Sequence, residues 1–552
     1  MYAYQISDQS ILTRRVSEFR QQTQRYLDGR LSEEQFRPLR LMNGLYFQLH
    51  APMLRVAIPY GTLDATQMRM LARVAREYDR GYGHFTTRQN IQFNWPSVEV
   101  APDILADLSR ANMHAMQTSG NCVRNITTDH LAGVAVDEIE DPRPWCEMLR
   151  QWFTLHPEFL FLPRKFKMAI SGASNDRAAT RFHDIGLEIV DSPAGERGFR
   201  VLAGGGLGRA PVVASVVKEF LPRRHVVGFL EAIMRVYNEM GRRDNKHKAR
   251  IKILVRELGI DTFRELVESE WKRVMSRVPP LDDAGIEALR DRFTTPEFAP
   301  ATNADDFRAR RLLDPRFARW LGNNTAEHRH AGYRAAYVSL KTHGQAPGDL
   351  DARRMEAVAE LAERYSSSEI RVTHTQNLLF PHVRVEMLYD LWRELEVLHL
   401  AAAAVSRATD VICCPGLDYC SLANARSIPV AEEIQSRLAK LDEEFDIGDL
   451  RINISGCMNA CGHHHVGHIG ILGVEKRGKE WYQITLGGSS SADAAIGERV
   501  GPALPRNAVA DAVSRIVQVY IENRVDEDEN FLQTWRRLGA GLFKERIYGQ
   551  GN

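Results

Sequence analysis

A shift of 287 residues lays one stretch of this chain on another without a gap. Leu63-Asp64 falls on Leu350-Asp351, Met68 on Met355, Ala72 on Ala359, Ala75 on Ala362 and Tyr78 on Tyr365. Thr86, Gln89-Asn90 and Phe93 then meet Thr373, Gln376-Asn377 and Phe380. A shift of 284 matches a second pair of segments: Ile170-Ser171-Gly172 with Ile454-Ser455-Gly456, Asn175 with Asn459, and Ile185-Gly186 with Ile469-Gly470. Under that shift the run Gly204-Gly205-Gly206 lies close to Gly487-Gly488. Two nearly equal shifts in the same order describe module A, module B, then both again. Such a chain folds as two similar halves.

Local patterns agree with the repeat. Asp64 and Asp351 suit the N-cap of a helix, accepting bonds from its first free amides. Met68, Leu71, Ala72, Ala75 and Tyr78 keep helical spacing, as do Met355, Val358, Ala359, Ala362 and Tyr365. Gly81 is placed to end the first helix. A strand is predicted after each helix, over His84 to Trp95 and over Glu369 to Phe380. In the first, His84, Thr86, Arg88, Asn90, Gln92 and Asn94 alternate onto one face, with Phe85, Ile91, Phe93 and Trp95 on the other. Residues 279–310, with Pro279-Pro280, Pro296 and Pro300, read as the connection between halves. Helical and strand patterns mix without regular βαβ alternation, so the fold class is α+β.

Charge excludes some functions. Lys and Arg number 72 against 71 Asp and Glu, a formal net charge of +1, which gives no global signature of nucleic-acid binding. The longest nearly apolar run, Leu398 to Val405, is far short of the ~20 residues of a membrane helix. The start, Met1-Tyr2-Ala3-Tyr4, has no apolar signal-peptide core, so a cytoplasmic protein is expected.

Five of the seven cysteines fall between 413 and 461. An odd, sparse set argues against a disulfide framework and for metal or redox chemistry. Cys414-Pro-Gly-Leu-Asp-Tyr-Cys420 is a loop pair, and either Cys413 or Cys414 could be its first ligand. Cys457-Met-Asn-Ala-Cys461 puts its two thiols on one face if the segment is helical. Four such thiolates can hold an iron–sulfur cluster or zinc. The usual zinc spacing admits the second pair but not the first. The first half has Ala173 and Arg177 where the second has Cys457 and Cys461, so only the second half can bind the metal centre.

Cys-Pro-x4-Cys followed by Cys-x3-Cys resembles the signature of sirohaem-containing sulfite and nitrite reductases, and the similarity runs over roughly residues 35 to 520. The resemblance implies that Cys414, Cys420, Cys457 and Cys461 bind a [4Fe–4S] cluster, with Cys461 also bridging to the sirohaem iron. It implies two pseudo-repeated halves, each a ferredoxin-like half-domain followed by a sirohaem and Fe–S type α+β domain. The expected boundaries are 1–120, 121–300, 301–405 and 406–552.

The resemblance also gives cations a role. Thr86-Thr87-Arg88-Gln89 resembles the family strand that carries one substrate arginine, and Arg124 resembles the second. Lys165 and Lys167, in Leu162-Pro-Arg-Lys-Phe-Lys167, resemble the paired lysines of sulfite reductases. Plant-type nitrite reductases resemble this motif but carry Asn where Lys167 stands. For any one of these residues alone, solvated surface charge is the ordinary reading. The basic run from Arg242 to Lys252, including Lys248 and Arg250, is a candidate cradle for sirohaem carboxylates. An exposed basic helix or a nucleic-acid patch is its alternative. Gln376 and Asn459 are further candidate cofactor contacts.

Gly204-Gly-Gly-Leu-Gly208 is not a dinucleotide fingerprint, because Arg209 follows it. Electrons are therefore expected from a partner protein, a ferredoxin or an NADPH-flavoprotein. His463-His464-His465 receives no metal assignment, and Cys122 and Cys146 read as buried thiols. The expected function is assimilatory reduction of sulfite to sulfide. The alternatives are nitrite reduction to ammonia with the same cofactors, and a non-enzymatic zinc-binding protein.

Overall fold

Asp64 caps the helix Ala65–Tyr78 by accepting from the Gln67 amide, and the Gln67 side chain returns the bond. Asp351 caps Ala352–Tyr365 in the same way, accepting from the Arg354 amide. Gly81, at φ +85°, turns the first chain back so that its amide donates to the Ala75 carbonyl. These elements belong to a computed structural model that describes residues 2, 4, 6–300 and 305–549. Met1 and Ala3 of the expected start, and residues 301–304 of the expected connection, lie outside the described residues.

The predicted strands 84–95 and 369–380 are corrected to hairpins. Tyr82–Phe85 and Ile91–Phe93 flank a turn over 86–90, and Glu369–Val372 and Leu378–Arg384 flank one over 373–377. Gln89 (φ +54°) and Gln376 (φ +60°) occupy the left-handed region. Their side chains repay that strain by donating across the repeat: Gln89 Nε2 to the Val372 carbonyl and Gln376 Nε2 to the Phe85 carbonyl, each at 3.1 Å.

The halves also exchange strands. The first antiparallel sheet runs Leu45–Phe47, Pro52–Val56, Ile91–Phe93, Tyr82–Phe85, and then takes Asp349–Asp351 from the second half. The second runs Thr325–Glu327, Tyr333–Val338, Leu378–Arg384, Glu369–Val372, and takes Thr62–Asp64 from the first. One continuous core joins Leu63, Met68 and Phe93 to Leu350, Met355 and Phe380. At its surface Arg69 pairs with Glu363 and Arg76 with Glu356, mates of one another under the 287 shift.

Each B module is a mixed sheet with its own core. In the first, Thr127–Thr128, Met168–Ser171 and Ile185–Asp191 are parallel, and Arg197–Ala203 and Ser215–Pro222 continue antiparallel. In the second, Ile412–Cys413, Ile452–Ser455 and Ile469–Lys476 are parallel, with Lys479–Leu486 antiparallel beyond. The repeated glycines have a steric cause. A Cβ on Gly172 would stand 2.0 Å from the Glu140 carbonyl oxygen, and on Gly456 2.5 Å from that of Ala425. On Gly186 and Gly470 it would meet the Thr180 and His464 oxygens at 2.4 and 2.0 Å. Gly186→Ala is therefore expected to destabilise the first B module by about 1–3 kcal/mol, the cost of overpacking a rigid backbone contact, read as a lowered denaturant midpoint.

The connection 279–310 is not all irregular, because Asp283–Arg290 and Asp305–Leu313 are helices. No helix among the described residues is long and apolar enough to cross a membrane.

Candidate active site

Cys414 and its neighbour Cys413 follow the side-chain alternation of a strand. Cys413 pairs with Ile454 and buries its thiol in the module core. Cys414, one residue on, accepts from the Gly456 amide through sulfur at 3.2 Å, and Ser427 Oγ lies 3.7 Å away. Alternation thus turns Cys414 toward the other cysteines and Cys413 away from them. The Cys457–Cys461 segment is a pair of tight turns rather than a helix. Ala460 (φ +55°) and His463 (φ +58°) reverse the backbone, and the Ala460 amide donates to the Cys457 carbonyl at 3.2 Å.

The thiols are near enough to affect one another's acidity. Burial pushes Cys414 up to about 11, and proximity to Cys461 adds to it. Burial also raises Cys420 and Cys457, and both sense Cys461. Asn459 is exposed but bonds the Cys457 sulfur through its backbone and side chain. Among the described residues no three His, Cys, Asp or Glu side chains are gathered tightly enough to hold a single metal ion. Four soft donors so disposed fit an Fe–S cluster better than a lone zinc ion, and a positive cluster would turn raised thiols into thiolates.

Residues of the first half meet this loop directly. The Thr87 hydroxyl donates to the Cys461 carbonyl at 2.8 Å. Arg88, next in the turn, donates to Thr127 Oγ1 at 2.9 Å and to the Asn125 carbonyl at 2.6 Å, and touches His183 Nε2. Arg124 is held by the Thr118 and Gly120 carbonyls. Lys165 and Lys167 lie on the extended lead into Met168–Ser171, with Phe166, Met168 and Ile170 buried in the core. Neither ammonium has a hydrogen bond or an ion pair among the described residues, and both have Cys461 among their charged neighbours.

Burial and crowding lower the pKa values of these cations. Burial brings Lys165 down to about 8, with Arg124 and Arg250 pushing the same way and Cys461 opposing. Burial with Arg88 and Lys165 holds Lys167 well below the ordinary lysine range. Burial brings Arg88 down to about 9, against the pull of Asp184. Two residues not singled out in the sequence join them. Arg164 is lowered by burial and by Arg250 and Arg124. For Tyr46, burial alone would raise the phenol, but Arg124 and Arg55 bring it to about 8. Such a concentration of positive charge is costly unless anions share it. It fits a polycarboxylate such as sirohaem together with an anionic substrate.

The basic run divides. Arg250 reaches Asp184 through both ends of its guanidinium, at 2.7–2.9 Å, and stays beside the cations. Lys252 is tied to the carbonyls of Gly206, Leu207 and Ala210 and supports that loop from beneath. Arg242 pairs with Asp244, and Lys248 is exposed; neither is brought to the cations. The segment is a loop leading into the helix Ile251–Leu258, not an exposed basic helix. Gln376 is buried beneath the loop, accepting from the Cys413 amide at 3.0 Å. Burial, with Lys167, His374 and Arg88 as neighbours, holds His463 well below the ordinary histidine range; its position two residues after Cys461 was the available signal.

The sequence matches the nitrite and sulphite reductase 4Fe-4S domain over residues 119–275 and 404–548. It matches the nitrite/sulfite reductase ferredoxin-like half domain over 49–111 and 332–398. It is 28% identical over 499 residues to a sulfite reductase [ferredoxin] of Mycobacterium tuberculosis, covering 87% of this chain and 81% of that one. It is 27% identical over 465 residues to a ferredoxin–nitrite reductase of Synechococcus elongatus, covering 81% and 82%. The solved structure of the Mycobacterium tuberculosis NirA protein superposes with a TM-score of 0.77 at 25% identity, covering 93% of this chain and 92% of that one.

Proposed function

The chain belongs to the nitrite and sulfite reductase family of oxidoreductases, and from that premise we propose that it reduces sulfite to sulfide with electrons from a ferredoxin. The observation that carries the reading is the pair Lys165 and Lys167, without an ion pair among the described residues and with Cys461 among their charged neighbours. Cys414, Cys420, Cys457 and Cys461 would hold a [4Fe–4S] cluster, with Cys461 shared by a sirohaem whose carboxylates Arg164 and Arg250 would meet. When bound, these groups would pass the donor's electrons to the substrate and offer iron to bind it.

The chain's own residues do the rest. Sulfite is a dianion, and Arg88, Arg124, Lys165 and Lys167 offset its charge in a partly desolvated chamber. Arg88 is fixed by Thr127 and Asn125, so it is preorganised and loses little freedom on binding. Lys165, at about 8, is charged at neutral pH yet close to its transfer point, which suits it to give protons as oxygen leaves as water. Tyr46, also near 8, can relay them.

Sulfite is favoured over nitrite by Lys167. A second lysine matches the extra negative charge, whereas Asn suffices for a monoanion. Nitrite reduction to ammonia is the second reading, supported by the similarity to nitrite reductases. The named relatives of both kinds are ferredoxin-dependent, which supports that donor over a flavoprotein. The test is Lys167→Asn. It should lower kcat/KM for sulfite about tenfold or more, the loss of roughly one charge-assisted bond, and change nitrite less. Equal loss on both anions, or none, overturns the assignment of sulfite through Lys167.

A further inference from the structure

Thr87 and His374 are mates under the 287 shift, and each reaches out of its own half. His374 faces the Thr87 carbonyl with one ring nitrogen at 3.3 Å and the Thr128 carbonyl with the other at 3.0 Å. Thr87 sends its hydroxyl to the Cys461 carbonyl at 2.8 Å. It is buried, at 6% exposure, in a turn closed by the Thr86 amide on the Asn90 carbonyl at 2.8 Å. Arg88, its neighbour, turns its guanidinium to Thr127, the Asn125 carbonyl and His183.

The Cys461 peptide is held from two sides. From within its own module, the Gly462 amide donates to Ser455 Oγ at 3.0 Å, and Asn453 Nδ2 donates to the Gly462 carbonyl at 3.1 Å. From the other half comes Thr87. A Cβ on Gly462 would stand 1.9 Å from the Ile454 oxygen, so the loop cannot slide toward its own sheet to compensate for a lost bond.

We propose that Thr87 is a positioning residue: its hydroxyl sets the height of the Arg88 turn over Cys461 and tunes the redox group that the Cys461 sulfur ligates. The inference rests on the proposed cofactor reading. A donor on the carbonyl of a ligating residue draws electron density from it and stabilises the more negative, reduced state. Loss of the hydroxyl therefore shifts the midpoint potential downward, and it also loosens the distance between Arg88 and the ligand.

The experiment compares holoenzyme carrying Thr87→Val, which keeps the shape and loses the donor, with Thr87→Ser, which keeps the donor. Redox titration followed by absorption and electron paramagnetic resonance reads the potential, and sulfite steady-state kinetics reads kcat and KM. The expected result for Val is normal iron and haem content, a more negative potential, and a kcat lowered about tenfold, the lower end for an outer-shell change. Ser returns both to within about twofold of the parent in kcat. A Val protein with parental potential and kcat overturns the proposal. So does a Ser protein that fails like Val, because shape alone would then matter. Should the Val protein fail to load its cofactors, Thr87→Ala reads the same potential without the branched methyl. If the parent itself purifies without iron and haem, it is the cofactor reading that fails.

Discussion

A Cys461→Ala protein loses sulfite reduction by far more than the ~10–100-fold typical of an outer-shell change. Two independent losses are expected from one sulfur. The remaining thiols, Cys414, Cys420 and Cys457, are all raised by burial and need a nearby positive centre to stay ionised. With one ligand gone, iron and acid-labile sulfide content should fall. Lys165 and Lys167 also lose the negative neighbour that supports their charge, so anion affinity should fall with it. Cys413→Ala is the matched control. Its thiol lies in the core on the other side of the strand, so iron content should be parental and only stability should drop. Full iron content in Cys461→Ala would remove it from the ligand set.

Glu369→Leu should destabilise the protein by about 3–5 kcal/mol, because it strips the carboxylate from the buried Arg371 guanidinium and leaves Arg143 with Asp141 alone. Glu369 Oε1 accepts from Arg371 Nε at 2.9 Å and from Arg143 at 3.0 Å, and His382 stands 3.6 Å from its other oxygen. Arg143 belongs to the first B module and Glu369 to the second A module, so the cost falls on a junction between halves. Burial alone would raise this carboxyl, but Arg371 and Arg143 hold it well below the ordinary range. A depressed carboxylate contributes fully above its unfolded value of ~4.3, and the contribution is lost as pH falls toward the folded one. The penalty of Glu369→Leu should therefore be largest near neutrality and shrink on acidification, as denaturant midpoints at several pH values would show. A pH-independent penalty would mean lost packing instead.

What could be read from the amino acids alone depended on how local the cause was. The capped helices after Asp64 and Asp351 were legible because the cap and the apolar face lie within one short segment. The hairpins were not. Alternation from His84 to Asn94 suggests an unbroken strand, while the turn is imposed by Gln89 and Gln376 bonding backbone almost three hundred positions away. The exchange of Thr62–Asp64 and Asp349–Asp351 had no local mark at all, because three-residue strands carry almost no periodicity. At the site, motif and repeat together put cysteines on one half and cations on the other. They did not show that Arg242 would pair with Asp244 or that Lys248 would be exposed, since a run of like charge does not say which members point inward. They passed over Tyr46 and Arg164, whose importance comes only from what folds against them.

The swapped edge strands also govern when the molecule can finish assembling. The sheet nearest the N-terminus waits for residues 349–351 to complete it. Until the ribosome has released that stretch, Tyr82–Phe85 presents an open row of amides and carbonyls to anything nearby. Well over half of the polypeptide must thus be synthesised before its earliest sheet is sealed, which makes this nascent chain a natural client for holding chaperones.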